Sequence, residues 1–110
     1  MKLWLDDVRD PLQYGRIGWM WVTTAEDAIA VLKTGAVTQA SLDHDLSAMA
    51  SIGQPAIGEK TGYTVVLWME ENNVWPKDGV EVHSMNPAGA QRMLDVICRH
   101  CNGRRVTLCK

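Results

Sequence analysis

The sequence predicts an α/β fold with a mainly parallel sheet, on three observations. Short apolar runs alternate with segments of helical periodicity. Three of the runs end in polar reactive groups: 2–5 in Asp6-Asp7, 38–42 in Asp43-His44-Asp45, and 80–82 in His83-Ser84. Right-handed crossovers set the carboxyl ends of parallel strands along one edge, where ligands bind at a switch in strand order.

Each element has its own signal. Residues 2–5 read as a buried strand. The stretch from Asp10-Pro11 to Gly18 carries breakers and little periodicity, so it reads as a loop. Trp19-Met20-Trp21-Val22 is an aromatic-rich second strand. Thr23 and Thr24 offer N-caps, and Thr23 with Glu26 matches a capping box. Ala25, Ala28, Ile29 and Leu32 share a helical face that Gly35 closes. A third strand runs around 38–42. Residues 47–60 are small, glycine-bearing and long for a connection, which suggests a functional lid or a disordered segment. A second helix starts at Thr61, with Val65, Trp68 and Met69 inward, and ends at Asn72-Asn73. After a fourth strand over 80–82, Asn86 caps a third helix with Pro87 in its first turn. Its apolar face is Ala90, Met93, Leu94, Ile97 and Cys101, and a last strand is expected over 104–108.

With 110 residues and no internal repeat or linker, residues 1–110 read as one domain. A net charge of −2 argues against extended duplex nucleic acid and against a polybasic membrane anchor, but leaves room for a nucleotide in a local pocket. No stretch approaches a membrane span and the chain opens on a strand, so a cytoplasmic protein is expected. Five Trp without any Phe leave room for a base-stacking surface or a homodimer patch, with Trp4, Trp21 and Trp68 assigned to the core. Cys98 and Cys101 form a C-x-x-C near a helix C-terminus, where the dipole opposes thiolate, so they read as core cysteines. Gly53-x-x-x-x-Gly58-Glu59-Lys60-Thr61 carries one residue too many for a P-loop, which excludes nucleoside triphosphate hydrolysis by that motif.

The chemistry concentrates at the predicted sheet edge. Carboxylates held close repel unless a cation lies among them. Asp6 or Asp7 with Asp43 or Asp45 would supply oxygen ligands to magnesium or manganese. The ordinary alternative is that one Asp of each pair caps a turn or pairs with Arg9 or Arg16. His44 and His83 end different strands and are candidates for acid and base, against a structural hydrogen bond for either. Ser84 lacks triad spacing and suits a phosphate contact. Asn86 starts a helix whose N-terminus faces the same edge, and Arg9 is a candidate phosphate clamp.

The ordered motifs LWLDDVR, GWMWVTTAEDA, SLDHDL, TGYTVV and HSMNPAG span most of the chain. In that set the chain resembles the cyclic-phosphate processing receiver domains, relatives of response-regulator receivers. The resemblance implies a receiver or flavodoxin-like sheet of four to five strands flanked by helices. It matches the receivers' acidic pair to Asp6 and Asp7, their phosphoacceptor to Asp43 and their hydroxyl to Ser84. It also implies departures: little room for a first receiver helix, and only Lys110 to stand for the lysine after the fifth strand. His44, Asp45, His83 and Asn86 are additions that phosphoacceptor signalling does not need.

The resulting expectation is a metal-assisted phosphoesterase for cyclic phosphates on nucleotides or RNA ends. Asp6, Asp7 and Asp43 hold the divalent cation; His44, His83 and Asp45 serve proton transfer; Arg9, Ser84 and Asn86 hold phosphate. The alternative is a non-catalytic receiver-like module that binds or sequesters a nucleotide or a protein partner.

Overall fold

The computed structural model describes residues 1–46 and 60–108. The expected lid therefore lies outside the described residues except for Lys60, as do Cys109 and Lys110. Strands β1 (Lys2–Leu5), β2 (Trp19–Val22), β3 (Gln39–Leu42), β4 (Val80–Val82) and β5 (Gly103–Arg105) form one sheet in the order β2-β1-β3-β4-β5. Every neighbouring pair is parallel. The chain moves outward from β1 to β2, then returns across β1 to β3, so the strand order switches between β1 and β3.

Helices α1 (Ala25–Leu32), α2 (Gly62–Asn72) and α3 (Pro87–Ile97) pack over one face. Strand alternation sends Leu3, Leu5, Ala40, Leu42, Val80 and Val82 to that side, where they are buried with Leu32, Val65, Met69, Met93 and Ile97. Each fully buried aliphatic side chain of this kind contributes roughly 1.5–3 kcal/mol.

The alternate residues, Trp4, Ser41 and Glu81, face the other way and are buried as well. No α-helix covers them among the described residues. A single 3-10 turn, Pro11–Tyr14, stands where a first receiver helix would run; the Asp10 carboxylate accepts from the Leu12 N–H at its start. Tyr14 stacks on Trp4 at 6.2 Å, and the Arg16 guanidinium lies over Trp4 and Trp19. An aromatic and cationic cover thus does the work of a helical layer.

Several local expectations are corrected. Thr24, not Thr23, caps α1, because the helix begins at Ala25 and the hydroxyl accepts from Asp27 N–H at 3.1 Å. The capping box belongs to α2, between Thr61 and Thr64. Helix α3 stops at Ile97, which leaves Cys98 as an exposed cap and Cys101 half-buried beyond it, both free thiols. Cys98 is therefore not a core residue. Trp21 lies on edge strand β2 at 42% exposure, although its indole N–H donates to Asp6 O; Trp4 is fully buried and Trp68 half-buried. Strand β5 begins one residue early and is shorter than expected. No helix among the described residues is long and apolar enough to cross a membrane.

Candidate functional site

The ladder continues one residue past the carboxyl end of three central strands. Asp6 N–H donates to Val22 O, Asp43 N–H to Leu5 O and His83 N–H to Leu42 O. Those bonds set Asp6, Asp43 and His83 side by side, and alternation turns all three toward the helix-free face. All three are nearly inaccessible, Asp43 being the most exposed at 4%. Each offers one donor atom, and the three atoms lie within 4.8 Å of one another.

Asp6 organises the loop that follows it. Its Oδ1 accepts from the backbone N–H of Val8 (2.9 Å) and Arg9 (2.8 Å), folding the chain back on itself. Arg9 Nη1 then lies 3.3 Å from Asp6 Oδ2 and 3.7 Å from Asp43 Oδ2. The Arg9 side chain is 28% exposed, so one cation touches both carboxylates and still reaches solvent. Burial opposes ionisation of Asp6, but the bonds from His83, Arg9 and Val8 outweigh it and hold the carboxyl below its ordinary value. Asp43 goes the other way. Burial, then the neighbouring charge of Asp6, push its pKa up to about 7 against the pull of Arg9 and of its bond from His44 N–H. Asp7 is outside the three-donor set, yet its charge also acts on Asp43.

His83 is stacked flat on Trp4, with 4.2 Å between ring centres and 8° between planes. Its Nε2 is 3.0 Å from Asp6 Oδ2 and its Nδ1 is 2.7 Å from Ser41 Oγ. Because ionised Asp6 accepts only, Nε2 carries the proton and Nδ1 accepts from the Ser41 hydroxyl.

His44 belongs to a second, more open group. Its Nδ1 is 2.8 Å from Asp45 Oδ1, which also receives Asn86 Nδ2 at 3.4 Å. The Asn86 side chain accepts from Gly89 N–H and so caps α3. Ser84 Oγ accepts from Asn86 N–H, and Arg105 donates to Ser84 O. Thus Asp6, Asp43, His83 and Arg9 meet in one cluster, His44, Asp45 and Asn86 in another, and buried Ser84 shapes the turn between β4 and α3.

Two glycines permit this crowding. A Cβ on Gly62 would lie 1.9 Å from Asp43 O, and one on Gly89 would lie 2.5 Å from His44 Cγ. Sequence reasoning missed these roles, and those of Ser41 and Arg105. A period of two would have found Ser41, which precedes Asp43 by two residues just as Trp4 precedes Asp6 and Glu81 precedes His83.

The model of the family described as cyclic-phosphate processing receiver domain matches residues 1–99. The chain belongs to that family. Its fold is similar to the signal receiver domain of a protein assigned as a Luxo repressor from Vibrio parahaemolyticus, with a TM-score of 0.62 and 17% identity over 94% of this chain and 75% of that one. It is similar also to a CheY-like response regulator receiver domain from Methylobacillus flagellatus, with a TM-score of 0.60 and 13% identity over 94% and 82% of the two chains. A search of curated proteins finds no match. The receiver likeness bears on the fold, and this member of the family lacks the first receiver helix among its described residues.

Proposed function

We propose that the protein is a metal-assisted phosphoesterase that opens cyclic phosphates on nucleotides or RNA ends. One observation carries the reading: Asp6, Asp43 and His83 converge within 4.8 Å while Arg9 touches both carboxylates and still reaches solvent. Two carboxylate oxygens and an imidazole nitrogen suit a divalent ion, and the nitrogen favours manganese over magnesium. The raised pKa of Asp43 fits the same reading, since a nearby cation would favour its charged form. When bound, such an ion supplies Lewis-acid polarisation of a phosphoryl oxygen.

The remaining roles fall to the chain itself. Arg9 holds phosphate oxygens, and its planar guanidinium suits a bidentate contact. Asp45 fixes the tautomer of His44 through Nδ1–H, so His44 Nε2 presents its lone pair as the base. His44 takes a proton from water as the water oxygen bonds to phosphorus and one ring P–O bond breaks. The imidazolium then returns that proton to the leaving alkoxide. Asn86 positions Asp45, Ser84 holds the turn that presents Asn86, and Asp7 adds negative field at the cation site. His83, with both ring nitrogens bonded inside the fold, is no second proton carrier; as a ligand it would take the other tautomer, with Nδ1–H donating to Ser41 Oγ and Nε2 exchanging its bond to Asp6 for the ion.

That same enclosure favours the second reading, a non-catalytic module binding or sequestering a nucleotide or a protein partner. The two are separated by incubating the protein with 2′,3′- and 3′,5′-cyclic nucleotides and cyclic-phosphate-ended RNA, with and without manganese or magnesium. Metal-dependent ring opening, lost in His44→Ala, supports the enzyme. Retention of an unchanged nucleotide without turnover supports the module.

A further inference from the structure

Strand β2 is an edge of the sheet, so Trp21 has no neighbouring strand on its outer side. Its register with Trp4 puts it on the helix-free face, together with Trp19. The cover over that face is short. Tyr14 stacks on Trp4, and Arg16 lies over Trp4 and Trp19. Among the described residues no aromatic ring or cation lies over Trp21.

The indole is held in place all the same. Its Nε1–H donates to Asp6 O at 2.8 Å while the residue stays 42% exposed. A ring already oriented in this way gives up little rotamer freedom when another ring stacks on it. A lone exposed tryptophan is ordinary on a protein surface. This one is distinguished by what shares its anchor. Asp6 holds Trp21 through its main-chain oxygen and Arg9 through its carboxylate, with Arg9 Nη1 3.3 Å from Oδ2. An aromatic face and a half-buried guanidinium therefore border the same residue at the carboxyl edge of the sheet.

We infer that Trp21 is the base subsite of this centre: the base of a nucleoside cyclic phosphate stacks on the indole while its phosphate lies on Arg9. The inference rests on the phosphate role proposed for Arg9, and it narrows the substrate class. The centre takes a phosphate ester that carries a base, in preference to one on glycerol or a bare sugar. Because Nε1–H is committed to Asp6, the indole offers its π-face and no hydrogen bond. The subsite accepts every base and favours the larger purines, since stacking reads ring area rather than ring edges.

The test uses probes that ring opening cannot consume: adenosine 3′-phosphate, cytidine 3′-phosphate and glycerol 2-phosphate. Each is titrated into the full chain in magnesium buffer and followed in amide and indole proton–nitrogen spectra. Wild type is compared with Trp21→Phe and Trp21→Leu, which both lose the bond to Asp6 but differ in whether a ring remains. Adenosine 3′-phosphate is expected to bind more tightly than the cytidine compound, and that more tightly than glycerol 2-phosphate. It should also move the indole signal that disappears in both variants. Trp21→Leu is expected to weaken adenosine 3′-phosphate about tenfold or more, and Trp21→Phe to recover most of the loss. No saturable shift from adenosine 3′-phosphate, equal affinity for it and glycerol 2-phosphate, or equal affinity in the Phe and Leu variants would overturn the base subsite. Ring opening of adenosine 2′,3′-cyclic phosphate is measured on the same wild-type protein. Its absence beside base-dependent binding upholds the subsite and counts against the phosphoesterase alone.

Discussion

His83 donates from Nε2 to Asp6 Oδ2 across 3.0 Å, although 77 residues separate the two in the chain. The bond ties the end of β4 to the end of β1, on either side of β3, and so frames the position that Asp43 occupies. Ser41 fixes the other nitrogen and Trp4 fixes the ring plane.

Removal of the Ser41 hydroxyl leaves His83 Nδ1 buried without a donor. Ser41→Ala is expected to cost about 1–3 kcal/mol of unfolding free energy in urea denaturation. The same change should weaken manganese binding, because the imidazole loses the partner that orients it.

Asp43 gives stability a definite pH dependence in metal-free buffer. Its pKa of about 7 in the fold lies above the ordinary value of 3.8, so the unfolded chain ionises first as pH rises. Between about pH 4 and pH 7 this group therefore lowers stability, and above about pH 7 the penalty is constant at a few kcal/mol. Asp43→Asn keeps an oxygen for His44 N–H and is expected to be more stable than wild type at pH 8, with the gap closing toward pH 4. Asp6 has the opposite sign: its lowered pKa contributes stability above its ordinary value that is lost as pH falls. Chemical denaturation at a series of pH values checks both.

Gly89→Ala places a methyl group where the His44 ring lies. The helix tolerates alanine, and the gain in propensity is up to about 1 kcal/mol. The expected result is a folded protein with ring-opening activity reduced at least about tenfold. Gly62→Ala meets the backbone oxygen of Asp43 instead, which has no free end to yield. It is expected to lower the melting temperature markedly.

The two histidines should separate in their effects. His44→Ala is expected to reduce turnover by about 10²-fold or more while leaving manganese affinity unchanged. His83→Ala is expected to lose manganese affinity first. Paired measurements of kcat and of metal binding distinguish the roles.

Strand ends announced the site because charged residues directly after apolar runs have few structural reasons to be there. That logic gathered Asp6, Asp7, Asp43, His44, Asp45, His83 and Ser84 at one edge. Of these, Asp6, Asp43 and His83 converge, while His44 and Asp45 form a separate group. The alternation of strands with helices led to the parallel sheet. What the sequence concealed was partnership. Ser41 reads as an ordinary strand serine, and only the packing of β3 against β4 brings it to His83. Gly62 and Gly89 sit beside the helix starts read at Thr61 and Asn86 and carry no signal of their own, because their close approach to Asp43 and His44 depends on how α2 and α3 meet the sheet. Cys98 and Trp21 were expected in the core on apolar character alone, yet a helix that stops at Ile97 and an edge strand leave both exposed.

Manganese binding tests the central claim most directly, by electron paramagnetic resonance of the free ion titrated with wild type and Asp43→Ala protein. One ion bound per chain, with affinity at least about 10²-fold weaker in the variant, is the result expected of a site built on Asp6, Asp43 and His83. Equal affinity in the two proteins, or no binding by wild type, would contradict it.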